Sequence, residues 1–186
     1  PLSPTSASTQ TIVVDPGHGG DDSGVKVSDD TVEKQLTLDI AKRTKALVES
    51  RLGLRVVLTR DEDRTISADD RALIANNSRA SLFLSLHFNA ALTPSISGAQ
   101  VYSAAADRES QDALRQTQAA GAKVTAATCV VRSIDFVRWD MAQARHVEQS
   151  AALAGILAEA FSAAQLPMAS RPIQQAPLRV LAGVDM

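Results

Sequence analysis

The stretch Thr11-Ile12-Val13-Val14-Asp15-Pro16-Gly17-His18-Gly19-Gly20 runs from an apolar, β-branched segment straight into a Gly-rich turn that carries a histidine. So few charges over a strand-length run predict a strand covered on both faces, as in the interior of a parallel sheet. Leu82-Phe83-Leu84-Ser85-Leu86 repeats the arrangement and ends in His87-Phe88-Asn89. Ligands and chemistry gather at the carboxyl ends of strands in α/β sheets. Parallel strands of this kind deliver both imidazoles to one edge.

The segments around these two runs fit the same architecture. Thr31–Leu52 places Val32, Leu36, Ile40, Leu47 and Val48 largely at helical intervals, with Gly53 as C-cap. Arg55–Thr59 reads as a strand, Arg60–Ser67 as a polar loop, and Ala68–Asn77 as a helix with Ala72, Leu73 and Ala75 available to pack inward. Strands alternating with helices predict βαβ units and a mainly parallel sheet in a single α/β domain. Gly98–Tyr102 is expected to add a short strand. Ser103–Val137 is the least regular part, with a helical piece around Arg108–Ala120, and is a candidate insertion over the site. Arg138–Gln165 reads as a long Ala-rich helix, with Met141, Ala144, Ala151, Leu153, Ile156, Leu157 and Phe161 toward the sheet. Leu178–Leu181 is expected to begin a further strand or the approach to one.

A chain of 186 residues that is 45% hydrophobic can bury one substantial core. Its 19 basic and 21 acidic residues leave a net charge of −2, which predicts neither nucleic-acid nor membrane-surface binding. At 3% aromatic content, base-stacking platforms are not expected either. No apolar stretch approaches the roughly 18 residues of a membrane span. Cys129 is the sole cysteine, so no intrachain disulfide forms, and without a neighbouring histidine it reads as a packing or surface thiol. Residues 1–10 lack the basic and apolar regions of a signal peptide and are expected to be a flexible lead-in or linker.

Two imidazoles and one carboxylate would leave a tetrahedral Zn²⁺ one open position, where water becomes a nucleophile at neutral pH. Each candidate also has a plainer reading. His18 could be a turn residue and His87 a capped core histidine. Glu33, three residues after Asp30, fits a capping-box variant with Asp30 as N-cap, and spacing alone favours that cap. Arg60, Asp61 and Asp63 read as an ion-pair cluster holding a loop. Asn89 could orient a ligand or make a turn, and His146 reads as structural or surface.

Taken in order, VDPGHGG at Val14–Gly20, the Glu33-Lys34 pair, TRDED at Thr59–Asp63, RALIANNSRASLF at Arg71–Phe83, SLHFNA at Ser85–Ala90 and GAQVY at Gly98–Tyr102 carry a resemblance. The chain resembles the zinc-dependent N-acetylmuramoyl-L-alanine amidases of bacterial cell walls, from Thr11 to Tyr102 and more weakly from Trp139. The resemblance implies a twisted sheet with helices on both faces and one zinc ion held by His18, Glu33 and His87. It also implies hydrolysis of the amide between N-acetylmuramic acid and L-alanine, with Asn89 a candidate substrate contact. Peptidoglycan is then the substrate, a protein activator a candidate partner, a monomer the expected state, and the bacterial envelope, periplasmic or secreted, the expected location.

The resemblance further implies a general-base glutamate on a strand just after the stretch that Leu178–Met186 resembles. The sequence ends before it and Asp185 does not match the motif, so no residue here takes that role and the chain alone is expected to lack full activity. A non-catalytic peptidoglycan-binding or regulatory domain is the alternative, and a zinc peptidase acting on the stem peptide a third. Autoinhibition by Ser103–Val137 is a further expectation.

Overall fold

A computed structural model of the chain describes residues 10–88, 97–105, 122–125, 131–134 and 146–186. The chain forms two compact units, Pro1–Ala90 with Met186, and Ala91–Asp185.

In the first unit, β1 (Thr11–Pro16) lies between β4 (Arg55–Leu58) and β5 (Leu82–Leu86), parallel to both. Consecutive residues Val13 and Val14, which point to opposite faces, are both fully buried, as the strand's charge-poor sequence predicts. The helices α1 (Glu33–Leu52) and α2 (Ala68–Asn77) supply the crossovers, and α1 packs on β1 and β4. Gly53 ends α1 in the left-handed conformation, and Ser67 caps α2 by accepting the Asp70 N–H at 3.1 Å. A small antiparallel pair, β2 (Lys26–Ser28) and β3 (Thr31–Val32), precedes α1.

The faces of the two helices differ from the sequence expectation. Glu33, Thr37 and Ala41 form the buried line of α1, while Ile40 and Leu47 are exposed. Val14, Ala41 and Val56 make the core, with Ile12, Val48, Leu58 and Leu86 against it. Ala72 and Ala75 of α2 are buried and Leu73 is exposed. Small residues bring α1 close to β1 and β4, and the polar members of its buried line serve the site described below. The helix N-cap is also Val32 rather than Asp30, with the Gln35 side chain accepting the Val32 N–H.

In the second unit, β6 (Ala99–Ala104) pairs in parallel with β9 (Met168–Ala176), and α3 (Val147–Ala163) packs on both. Ala154 and Ala158 are its buried positions, and Ile156 is exposed. β7 (Ala122–Thr125) and β8 (Val131–Ile134) form an antiparallel pair. One expectation is corrected here. The closing strand is β9, and Leu178–Leu181 instead enters α4 (Arg179–Ala182), a single helical turn. β9 contains Pro172 and alternating polar residues, which conceal it from a hydrophobicity-based reading. His146 sits at the N-cap of α3, 3.2 Å from Asp185.

Asn89, Cys129 and the predicted helical piece at 108–120 lie outside the described residues, as does all of the lead-in except Gln10. Among the described residues no helix is long and apolar enough to cross a membrane.

Candidate metal centre

The register of β1 with β5 places Pro16 beside Leu86, and the Gly17 N–H continues the ladder to the Leu86 carbonyl at 3.0 Å. His18 and His87 therefore leave the same edge of the sheet side by side, with ring centroids 4.8 Å apart and planes at 77°. Glu33, the first residue of α1, reaches the same point from a helix whose N-terminus is fixed by the Ser23–Val25 segment. The Glu33 and Lys34 N–H groups donate to the Val25 and Ser23 carbonyls at 2.8 and 3.1 Å.

His18 Nε2 stands 3.0 Å from Glu33 Oε1, His87 Nδ1 stands 3.2 Å from the same oxygen, and the two nitrogens are 3.1 Å apart. That triangle is close to the roughly 3.3 Å edge of a tetrahedron built on metal–ligand bonds of about 2 Å. The remaining contacts decide which atoms face inward. Asp22 Oδ2 lies 2.8 Å from His18 Nδ1, and because a carboxylate can only accept, Nδ1 carries the proton and Nε2 presents its lone pair. Glu33 Oε1 faces that lone pair, so with neutral imidazoles the contact repels unless a cation lies between them. The donor set, two nitrogens and one oxygen, fits a zinc-type ion.

Glu33 is almost wholly buried. Burial pushes its carboxyl pKa up, but the Val25 N–H at 3.0 Å and the Phe88 N–H at 2.6 Å, joined by the two histidines when they are charged, outweigh it and hold the group below its ordinary value. Its carboxylate accepts from neighbouring segments, not from its own helix terminus, which sets aside the capping-box reading. The hydrogen bond to His18 holds Asp22 below its ordinary value, with the Gly24 N–H helping against a burial effect of opposite sign.

The expected ion-pair cluster of Arg60, Asp61 and Asp63 is replaced by a different arrangement. Asp63 bonds Lys34 Nζ at 2.7 Å and the Gly20 N–H at 2.7 Å. Arg60 is buried and donates to the carbonyls of Pro16, Gly17 and Lys34. Burial, and then the neighbouring Arg71, pull its pKa down from the usual arginine value. The sequence reading assigned no role to Asp22. A carboxylate four residues after His18 is the only sequence signal for it, and Asp21 offers the same signal displaced by one position.

Fold and cluster together define a class, an α/β protein with a candidate His–Glu–His metal centre at the carboxyl edge of a parallel sheet. Within that class the chain belongs to the N-acetylmuramoyl-L-alanine amidase family, whose sequence profile matches residues 12–186. N-acetylmuramoyl-L-alanine amidase AmiC of Escherichia coli is 34% identical over 143 residues, covering 75% of this chain and 34% of AmiC. AmiC of Neisseria meningitidis is 34% identical over 155 residues, covering 80% of this chain and 36% of its own. The chain thus spans about a third of the length of these curated relatives. The crystal structure of N-acetylmuramoyl-L-alanine amidase from Clostridium difficile 630 superposes with a TM-score of 0.61 at 24% identity, over 96% of this chain and 75% of that one. That likeness concerns the fold, and it agrees with the expected single α/β domain.

Proposed function

We propose that residues 11–186 form the catalytic region of a zinc-dependent amidase that cleaves the bond between N-acetylmuramic acid and L-alanine in peptidoglycan, releasing stem peptides in the cell envelope. The observation that carries this reading is the triangle of His18 Nε2, His87 Nδ1 and Glu33 Oε1 with sides of 3.0–3.2 Å, in a chain of the amidase family. A zinc ion held by these three residues would polarise the scissile carbonyl and make water acidic enough to attack at neutral pH. The chain's own part is to hold the two imidazoles and the carboxylate in place. Asp22 fixes the His18 tautomer, and the N–H groups of Val25 and Phe88 keep Glu33 ionised.

Because the chain spans about a third of its relatives, the activity test belongs on the full-length gene product. Purified peptidoglycan is digested and the new amino termini are identified, with zinc measured in the same preparation. One zinc per chain and peptides beginning with L-alanine are expected. Cleavage inside the stem peptide would make the protein a peptidase instead. Zinc without cleavage would leave a peptidoglycan-binding role, and absence of zinc would remove the centre itself.

A further inference from the structure

Two buried arginines behind the site take no part in the chemistry above, yet both converge on the loop that carries His18. Arg71 Nη2 donates to the His18 carbonyl at 2.8 Å, and Nη1 donates to the Pro16 carbonyl at 2.8 Å and to Asp15 Oδ1. Arg60 Nε donates to the Pro16 carbonyl at 3.0 Å and Nη2 to the Gly17 carbonyl at 2.7 Å. Each carbonyl from Pro16 to His18 therefore accepts from a guanidinium.

His18 needs that restraint. Its φ of +61° lies in the left-handed region, which a residue with a Cβ resists and which persists only where surrounding groups hold it. Arg71 bonds the His18 peptide itself, and the far end of its fork is anchored. Asp15 is fully buried and also accepts from Thr59 Oγ1 at 2.5 Å and Ser85 Oγ at 2.7 Å. Asp15 lies in β1, Thr59 follows β4 and Ser85 lies in β5, so the anchor reaches all three strands.

We propose that Arg71 is a positioning residue for the metal centre. It holds the His18 peptide in the left-handed conformation that aims Nε2 at Glu33 and His87, so metal affinity depends on a side chain that touches no ligand atom. The inference rests on the metal-site reading above. A lysine at this position would keep the charge beside Asp15, but its single ammonium lacks the planar fork that spans a carboxylate and two carbonyls.

The test is a Co²⁺ titration of this chain in competition with a chelator, followed by the cobalt absorption bands, which report ligand geometry without any turnover. Arg71→Lys is compared with Val56→Ala, a core variant remote from the loop that controls for lost stability, and thermal melts are run on both metal-free proteins. The expected result is a loss of about 10- to 100-fold in Co²⁺ affinity for Arg71→Lys, with altered bands, and parent-like binding for Val56→Ala. Equal binding by the two variants would overturn the proposal, as would parent-like bands in Arg71→Lys. If Arg71→Lys does not fold, Asp15→Asn replaces it, since it removes the charge that aims the fork and leaves Arg71 in place. Asp15→Asn must then bind more weakly than Val56→Ala, and equal affinity overturns the proposal. Failure of the parent chain to bind Co²⁺ would instead bring down the metal reading, an outcome distinct from equal binding by parent and variant.

Discussion

Gly17 lies so close to His87 that a Cβ on it would stand 2.4 Å from the imidazole Cε1. The backbone there cannot yield, because the Gly17 N–H bonds Leu86 and its carbonyl accepts from Thr37 Oγ1 and Arg60. The ring must move instead, taking Nδ1 away from Glu33. Gly17→Ala is therefore expected to reduce metal binding to about the level of His87→Ala, with far-UV circular dichroism unchanged. Metal affinity of Gly17→Ala within a few-fold of the parent would contradict the packing described here.

Asp22 fixes the proton of His18 on Nδ1 through a 2.8 Å contact. Outer-shell partners of this kind are worth about 10- to 100-fold in metal affinity, and the side chain here is 64% exposed, so the low end is expected. Asp22→Ala should lose about tenfold, read by competition with a chelator. The loss should shrink in Asp22→Asn, whose amide oxygen can still accept from Nδ1.

The clamp of Asp63 on Lys34 and Gly20 should depend on pH. The Lys34 ammonium first, and the Gly20 N–H second, hold the Asp63 carboxyl below its ordinary value of 3.8. A depressed folded-state pKa adds stability above the unfolded value, and that contribution is lost as pH falls through the folded one. The melting temperature of Asp63→Asn should therefore fall below that of the parent at pH 7, with the gap closing below about pH 3.8. A gap that persists at pH 2 would mean that the carboxylate's charge is not what matters.

Much of this arrangement could be read from the residues. Two apolar runs ending in His18 and His87 gave the parallel pair and its shared edge, because burial on both faces and a sharp Gly-rich stop leave few alternatives. The phase of α1 could not be read. Its buried line holds Glu33 and Thr37, polar residues that serve the site, so hydrophobic spacing pointed to Ile40 and Leu47, which are exposed. Glu33 itself was ambiguous because an acidic residue at a helix start suits both a cap and a ligand. Arg60 read as a member of an ion-pair cluster, and Arg71 was assigned no role. Their partners include the carbonyls of Pro16, Gly17 and His18, at sequence separations of 43 to 55, which side-chain type does not encode.

Glu33 has a structural duty that can be separated from metal binding. Its side chain is 1% exposed and its two oxygens satisfy the N–H groups of Val25 and Phe88, which fasten the loop before α1 and the chain after β5. A glutamine there has one accepting oxygen, so its NH₂ group must oppose one of those donors. Leaving a buried donor unsatisfied costs about 1–3 kcal/mol. Glu33→Gln should therefore destabilise the metal-free protein by about that amount in urea denaturation with a chelator present. If the carboxylate served only as a ligand, its removal would instead relieve the repulsion against the His18 lone pair, and the metal-free variant would be as stable as the parent or more so.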